Sequence, residues 1–310
     1  MYDGIVNVYK EAGFTSHDVV AKLRGIYGQK KVGHTGTLDP MAEGVLIVVL
    51  GRATKLADLI ITKRKKYIAR MQLGLETDTD DISGKVVSEA DRAELEHLLS
   101  DEEMLEEKVK EVFRSFMGKS EQIPPMYSAI KVNGKKLYEY AREGVKVELT
   151  PRPIEIYSLE LSDIDVVNRT ISFEVEASKG TYIRSLIRDM GRMLGCGATM
   201  SGLLRSEING IYMSDSLKIT DIEKLREEGK LGDSIQPMDA LLSRFPEAHV
   251  KKESERFLAN GNRLRLGSFE EDNDASLKKA EFFRVYMGNE IKGLYAYDKE
   301  NNNYKVFKML

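Results

Sequence analysis

The chain has 310 residues, 42% of them hydrophobic, with 47 Lys and Arg against 50 Asp and Glu for a net charge of −3. That composition suits a globular protein with one large domain or two unequal ones. It excludes a bilayer span, which needs about 20 apolar residues in a row, and its single cysteine, Cys196, with four histidines leaves no disulfide framework and no structural zinc set.

In chain order, GIVNVYK (4–10) reads as a short strand that Gly13 ends. Thr15 and Ser16 can cap a helix over HDVVAKLRGIYG, with Val19, Val20, Leu23 and Ile26 or Tyr27 on one face. A glycine-rich polar loop, VGHTGTLDPMAEG (32–44), follows. The apolar run Val45–Leu50 is the length of a strand, Thr54–Ile61 reads as helix, and KKYIARMQLG (65–74) as a strand. TDTDDISG is an acidic turn-rich loop, and residues 88–118 form one or two helices. IPPMYSAIKVNGKKLYEYAREG (123–144) breaks the pattern with two prolines, an Asn-Gly turn, tyrosines and lysines, and reads as an insertion. Two strands, IEIYSLELSDIDVV and ISFEVEAS, precede a helix from about Tyr182 to Leu194. GLLRSEINGIYM returns as a strand, and Thr220 with Glu223 suggests a capping box for a helix over DIEKLREEG. From about 246 onward the chain turns to short strands and Gly, Asn and Asp turns, the mark of a small β-rich second domain. Strands and helices interleave without a regular βαβ rhythm, so the class expected is α+β.

The net charge hides segregation: residues 1–70, 113–153 and 178–205 are net basic and 76–112 strongly acidic. Basic segments can converge on one face as a positive groove, although simple solubility is the plainer reading. The glycine loop has neither P-loop nor G-x-G-x-x-G spacing. Asp39 stands before Pro40, which restricts Asp39 to extended backbone and holds its carboxylate in one direction; a turn cap would look the same. The KRKKY run (63–67) could place an aromatic ring, Tyr67, beside a basic edge, an arrangement that suits an unstacked base and its phosphates. Arg184 falls in the first turn of a helix, against the macrodipole, so it calls for an anionic partner. Cys196 reads as a buried small side chain, and His34 alone is weak evidence for acid–base chemistry.

Taken together and in this order, GHTGTLDPMAEGVL, KKYIARMQLGLETDTDD, IPPMYSAIKVNGKKLYEYAREG, GTYIRSL and LGCGA followed by LLR resemble the bacterial tRNA pseudouridine-55 synthases of the TruB type. The tail, from FLANGNRLRLGS on, is similar to that family's small C-terminal PUA-like barrel. The resemblance implies an α+β pseudouridine-synthase fold with a mixed, mainly antiparallel sheet flanked by helices, residues 1–245 being catalytic and 246–310 a PUA-like RNA-binding domain. It implies isomerisation of a uridine in the tRNA T-loop, with base flipping and without cofactor or metal. Asp39 would be the catalytic carboxylate, whether it attacks C1′, attacks the base or removes a sugar proton. Tyr67 would pack on the base, Arg184 pair with Asp39, Leu203 line the base pocket and His34 fill the space the flipped uridine leaves. Lys10 and Tyr182 would be pocket neighbours. Lys131, Lys135 and Lys136 would meet phosphates from a mobile loop, with Tyr127 stacking or anchoring it. A monomer in the cytoplasm, with the tRNA T-arm as partner, is expected. The rivals are a non-catalytic RNA-binding module and a phosphoryl-transfer enzyme, the second disfavoured by missing lysine and metal-binding carboxylates.

Overall fold

The computed structural model describes residues 1–60, 64–145, 147–208, 210–270 and 274–310. The expected helix end at Ile61, Lys63 of the basic run and Asn209 of the returning strand lie outside them. The chain opens with β1 (Gly4–Lys10) and α1 (Ser16–Tyr27). Thr15 caps α1 reciprocally: its hydroxyl accepts from the Asp18 amide at 3.1 Å, and the Asp18 carboxylate accepts from the Thr15 amide at 2.8 Å. β2 (Val32–His34) and β3 (Glu43–Leu50) follow. The expected helix at 54–61 is shorter: a 3-10 turn over Gly51–Leu56 leads into the single turn α2 (Ala57–Ile60). β4 (Arg64–Leu73) alternates buried and exposed residues, with Tyr67, Ala69, Met71 and Leu73 inward.

The hairpin β5 (Leu75–Thr77) and β6 (Val86–Glu89) brackets the acidic loop. The acidic stretch resolves into α3 (Arg92–Leu99) and α4 (Glu102–Phe116), capped by Asp91 and Asp101, and α4 buries Leu105, Val109, Val112 and Phe113. After β7 (Gly118–Gln122), the insertion folds as the hairpin β8 (Lys131–Val132) and β9 (Lys135–Lys136) and the short α5 (Leu137–Arg142). Its two-residue turn, Asn133-Gly134, has φ of 51° and 83°, as the strand twist requires. β10 (Arg152–Asp165), β11 (Thr170–Ser178), α6 (Ile183–Leu194), β12 (Ala198–Ile208) and β13 (Ile211–Tyr212) complete the main sheet. α7 (Ile219–Glu227) starts earlier than the Thr220 cap implied, because the Asp221 carboxylate reaches back to the Lys218 amide at 3.0 Å. α8 (Met238–Leu242), β14 (Glu247–His249), α9 (Glu255–Ala259), α10 (Asp274–Leu277), β15 (Phe283–Met287), β16 (Glu290–Asp298) and β17 (Asn303–Met309) end the chain.

Among the described residues the main sheet runs β1-β3-β12-β4-β11-β10-β7, with β2 on β3 and β13 on β12. Every pairing in it is antiparallel except β3 with β12, which meet in parallel where Leu204 faces Glu43 and Arg205 faces Gly44. The structure is thus the α+β, mixed, mainly antiparallel sheet expected. On one face α4 and α6 cover Ala69, Met71, Ile171, Phe173 and Val175; α1 and α7 pack against β1 and β3. The second sheet runs β14-β15-β16-β17, curled by isolated bridges Val250–Phe269 and Leu264–Tyr304 around its own core. No described helix is long and apolar enough to cross a membrane.

Candidate active site

The polar loop between β2 and β3 crosses the end of the main sheet, and two buried cations hold it from behind. Lys10, fully buried on β1, donates through Nζ to the carbonyls of Ala42 at 2.6 Å, Pro40 at 3.1 Å and Glu11 at 3.1 Å. Burial pushes its ammonium down to about 8. Arg205, fully buried on β12, donates from Nε to Val45 O at 2.8 Å, from Nη2 to Gly36 O at 3.1 Å and from Nη1 to Thr37 O at 3.4 Å. A loop rich in glycine has no side chains of its own to fix it. These carbonyl contacts, with the Leu38 amide on Ser16 Oγ at 2.9 Å, supply the fixing.

Gly44 shows how tightly the loop's exit is packed. Its φ is +101°, and a Cβ there would lie 2.2 Å from the Arg205 carbonyl oxygen, at the parallel crossing of β3 and β12.

The loop presents Asp39 to Arg184, in the first turn of α6. Nη2 of Arg184 donates to Oδ1 at 3.0 Å, and Nε stands 2.9 Å from Oδ2. The same guanidinium donates to the carbonyls of Thr79 and Tyr127, each at 2.9 Å, and lies 3.5 Å from the Asp81 carboxylate. An arginine at a helix start is thereby explained: carboxylates on two sides outweigh the unfavourable macrodipole. Arg184's side chain is 5% exposed and that of Asp39 31%, so the acid is the accessible member. Burial pushes the Asp39 carboxyl above its ordinary value; Arg184 pulls it back and the Asp81 charge pushes it further up.

Around this pair lies a cleft of about 460 Å³, walled by Tyr67, Leu203, Tyr182, Tyr127, His17 and Lys65 and roofed by Lys136 and Tyr138 of the insertion. Tyr67 faces Arg205 across β4 and β12, and burial pushes its phenol up, opposed by the Arg205 guanidinium beside it. Burial likewise raises the Tyr182 phenol. The backbone of Tyr182 is fixed by Gln122, which accepts from its amide at 2.9 Å and donates to its carbonyl at 3.1 Å.

Of the residues singled out from sequence, Asp39, Tyr67, Arg184, Leu203, Tyr182 and Lys136 share this cleft. Lys10 does not: it stands behind the loop on carbonyls and braces it. His34 is also set back, its ring edge-on to His17 at 5.4 Å, so His17 rather than His34 lines the wall. Burial, with the like charges of His17 and Arg205, pushes His34 down to about 4. Lys131 is exposed, and Lys135 turns away to pair with Glu143 over the Tyr140 ring. The sequence reading missed Arg205, Lys65, His17 and Asp81. Strand alternation could have found Lys65, two residues before Tyr67 on the same face, and Arg205, two after Leu203. Among the described residues no group of three or more His, Cys, Asp or Glu could hold a metal ion.

Comparison with known proteins gives a consistent result. The family model "TruB family pseudouridylate synthase (N terminal domain)" matches residues 24–183, and "tRNA pseudouridylate synthase B C-terminal domain" matches 184–243. The chain is 44% identical over 315 residues to tRNA pseudouridine synthase B of Lachnoclostridium phytofermentans, and 39% over 313 residues to that of Ligilactobacillus salivarius. Each alignment covers 99% of both chains. Among solved structures, a chain of a Cbf5-Nop10-Gar1 complex superposes with a TM-score of 0.69 at 26% identity, covering 99% of this chain and 84% of that one.

Proposed function

The chain belongs to the TruB family of pseudouridylate synthases and is an isomerase of that family; we propose that it acts on the uridine at position 55 in the T-loop of tRNA, with Asp39 as the catalytic carboxylate and without a cofactor. In that reaction the N1–C1′ bond breaks, the freed uracil turns within the cleft, and a C5–C1′ bond forms. The C5 proton leaves and N1 takes one up. Nothing is oxidised or reduced, so a carboxylate, a phenol and fixed hydrogen-bond donors are sufficient chemistry.

The observation that carries this reading is Asp39, aimed by Arg184 into a cleft walled by Tyr67 and Leu203. The uridine must leave its stack to reach the acid, at a cost of a few kcal/mol. The Tyr67 ring receives the extruded base, and its raised phenol keeps its proton at neutral pH. Leu203 and Ile183 keep water from the base, and Lys136 brings a cation of the insertion to the cleft mouth for the RNA backbone. Because the Tyr127 carbonyl sits on Arg184 itself, the foot of the insertion is joined to the group that aims Asp39.

The test is tritium release from a T-arm stem-loop labelled at uridine C5, with chelator present and no nucleotide. Release by the wild type and none by Asp39→Asn is expected. Tight binding without release by the wild type would favour the non-catalytic RNA-binding reading.

A further inference from the structure

We propose that Lys65, with the open loop backbone at Gly36, forms a subsite for one backbone phosphate of the substrate RNA next to the flipped nucleotide. The proposal rests on the RNA-modifying reading above and adds a contact to it.

Lys65 lies on the inward face of β4, two residues before Tyr67. It borders the Asp39 cleft and also a larger groove of about 1030 Å³ between the two sheets, lined by Arg64, Lys66, Lys179, Arg244 and Lys279 together with the acids Asp58, Glu176, Glu207 and Glu281. The cations nearest to it in the strands have partners. Lys10 and Arg205 each have three carbonyls, and Lys66 has Glu207 at 3.1 Å. Among the described residues, the Lys65 ammonium has no hydrogen bond and no ion pair. Burial pushes it down to about 8, and the charge acting on it is a second cation, Arg205.

Lys65 thus stands beside a second cation with no ion pair of its own, a position that an anion in the cleft would relieve. The approach to that ammonium is uncrowded: Gly36 carries no side chain, whereas a Cβ there would stand 3.4 Å from Lys65 Nζ and 3.7 Å from Arg205 Nη1. The anion would reach it from the cleft that Lys65 lines. An extruded nucleotide carries its flanking phosphates to the cleft mouth, and Lys65 stands there as a compact charge of the right sign.

The test pairs Lys65→Met with T-arm stem-loops that each carry one uncharged methylphosphonate, placed from two positions before to two after the target uridine. One position is expected to weaken binding to wild type by roughly 10-fold and to have no effect on Lys65→Met, while the other positions act equally on both proteins. The slope of log affinity against log salt should fall by about one for the variant. Free of RNA, Lys65→Met should melt no lower than wild type, since an uncompensated charge is removed. Gly36→Ala, which sets a methyl against the Lys65 ammonium and leaves Lys65 in place, should reproduce the binding loss and serves if Lys65→Met fails to fold. Full methylphosphonate penalties at every position in the variants would overturn the subsite. Tritium release by wild type with no such coupling would leave the proposed function standing without it. Coupling without tritium release would do the reverse.

Discussion

Arg184 grips Asp39 from 145 positions away, Nη2 on Oδ1 at 3.0 Å and Nε 2.9 Å from Oδ2. The acid's direction is therefore set by the start of α6, and its charge is balanced without closing its exposed side. Asp39→Asn keeps the shape and removes the charge. Tritium release should fall by at least roughly 10⁴-fold, with RNA affinity within about 3-fold of wild type since the phosphate contacts that dominate affinity are untouched. A variant retaining a tenth of the activity would remove Asp39 from the chemistry.

Replacing Arg184 separates aim from charge. Arg184→Lys keeps a cation but loses the fork, so the rate should drop by roughly 10²-fold while RNA binding holds. Arg184→Met leaves Asp39 without its partner and should cost about 3–5 kcal/mol of stability. It also gives a pH signature. In the proposed mechanism Asp39 acts as the anion, so activity is expected to be lost as pH falls through its pKa. Burial and Asp81 already push that pKa up, and Arg184 holds it down. Without Arg184 the acid limb of the rate profile should move to higher pH. An unmoved or lowered limb would mean that Arg184 does not stabilise the ionised form.

How far the site could be read in advance follows from what made each part local. Asp39 was legible because a proline and glycines mark its loop, and Arg184 because an arginine in a helix's first turn lacks a local reason. The pairing of the two is a tertiary fact that only the motifs' order suggested. Lys10 was legible as a residue but not in its role, since a lysine ending a strand does not reveal whether it faces a cleft or three carbonyls. Arg205 and Lys65 sit inward on alternating strands, where a charged residue reads as an interruption of the core pattern and not as part of a site. The Thr220 box failed because Asp221, two residues before Glu223, supplied the carboxylate-to-amide contact to an earlier cap, Lys218.

His34 should be visible in the pH dependence of folding. Its folded pKa, about 4, is below the unfolded value of 6.5, so the unfolded chain binds the proton first. Stability is then lost as pH falls from about 6.5 towards 4. His34→Gln, which cannot take up that proton, should lose less Tm between pH 7 and pH 5 than wild type does. Equal losses would show that His34 titrates normally in the folded state.

Gly44→Ala probes the parallel crossing. The new methyl would meet the Arg205 carbonyl at 2.2 Å on a backbone with φ of +101°. Neither strand can yield without disturbing Arg205's hold on Gly36 and Thr37. Destabilisation of about 3 kcal/mol or more is expected, with tritium release lost faster than secondary structure as temperature rises. A Tm within a degree of wild type would show that β3 and β12 can part there freely.

The two sheets should melt together. Tyr286, Ile291 and Leu294 of the second sheet share one buried cluster with Ile5, Val45, Ile47 and Val49 of the first. Tyr286 donates to Asp239 at 2.6 Å and Arg52 pairs with Glu290 at 2.6 Å across the same seam. A seam with a fully buried apolar centre transmits loss of packing from one side to the other. Leu294→Ala leaves a cavity there worth about 2–5 kcal/mol. Calorimetry should show one transition in wild type and one, at lower temperature, in the variant, with the temperature at which tritium release ceases falling in parallel. Two transitions, with the upper one unmoved by Leu294→Ala, would mean that the sheets fold independently and that the C-terminal sheet rests on the first without stabilising it.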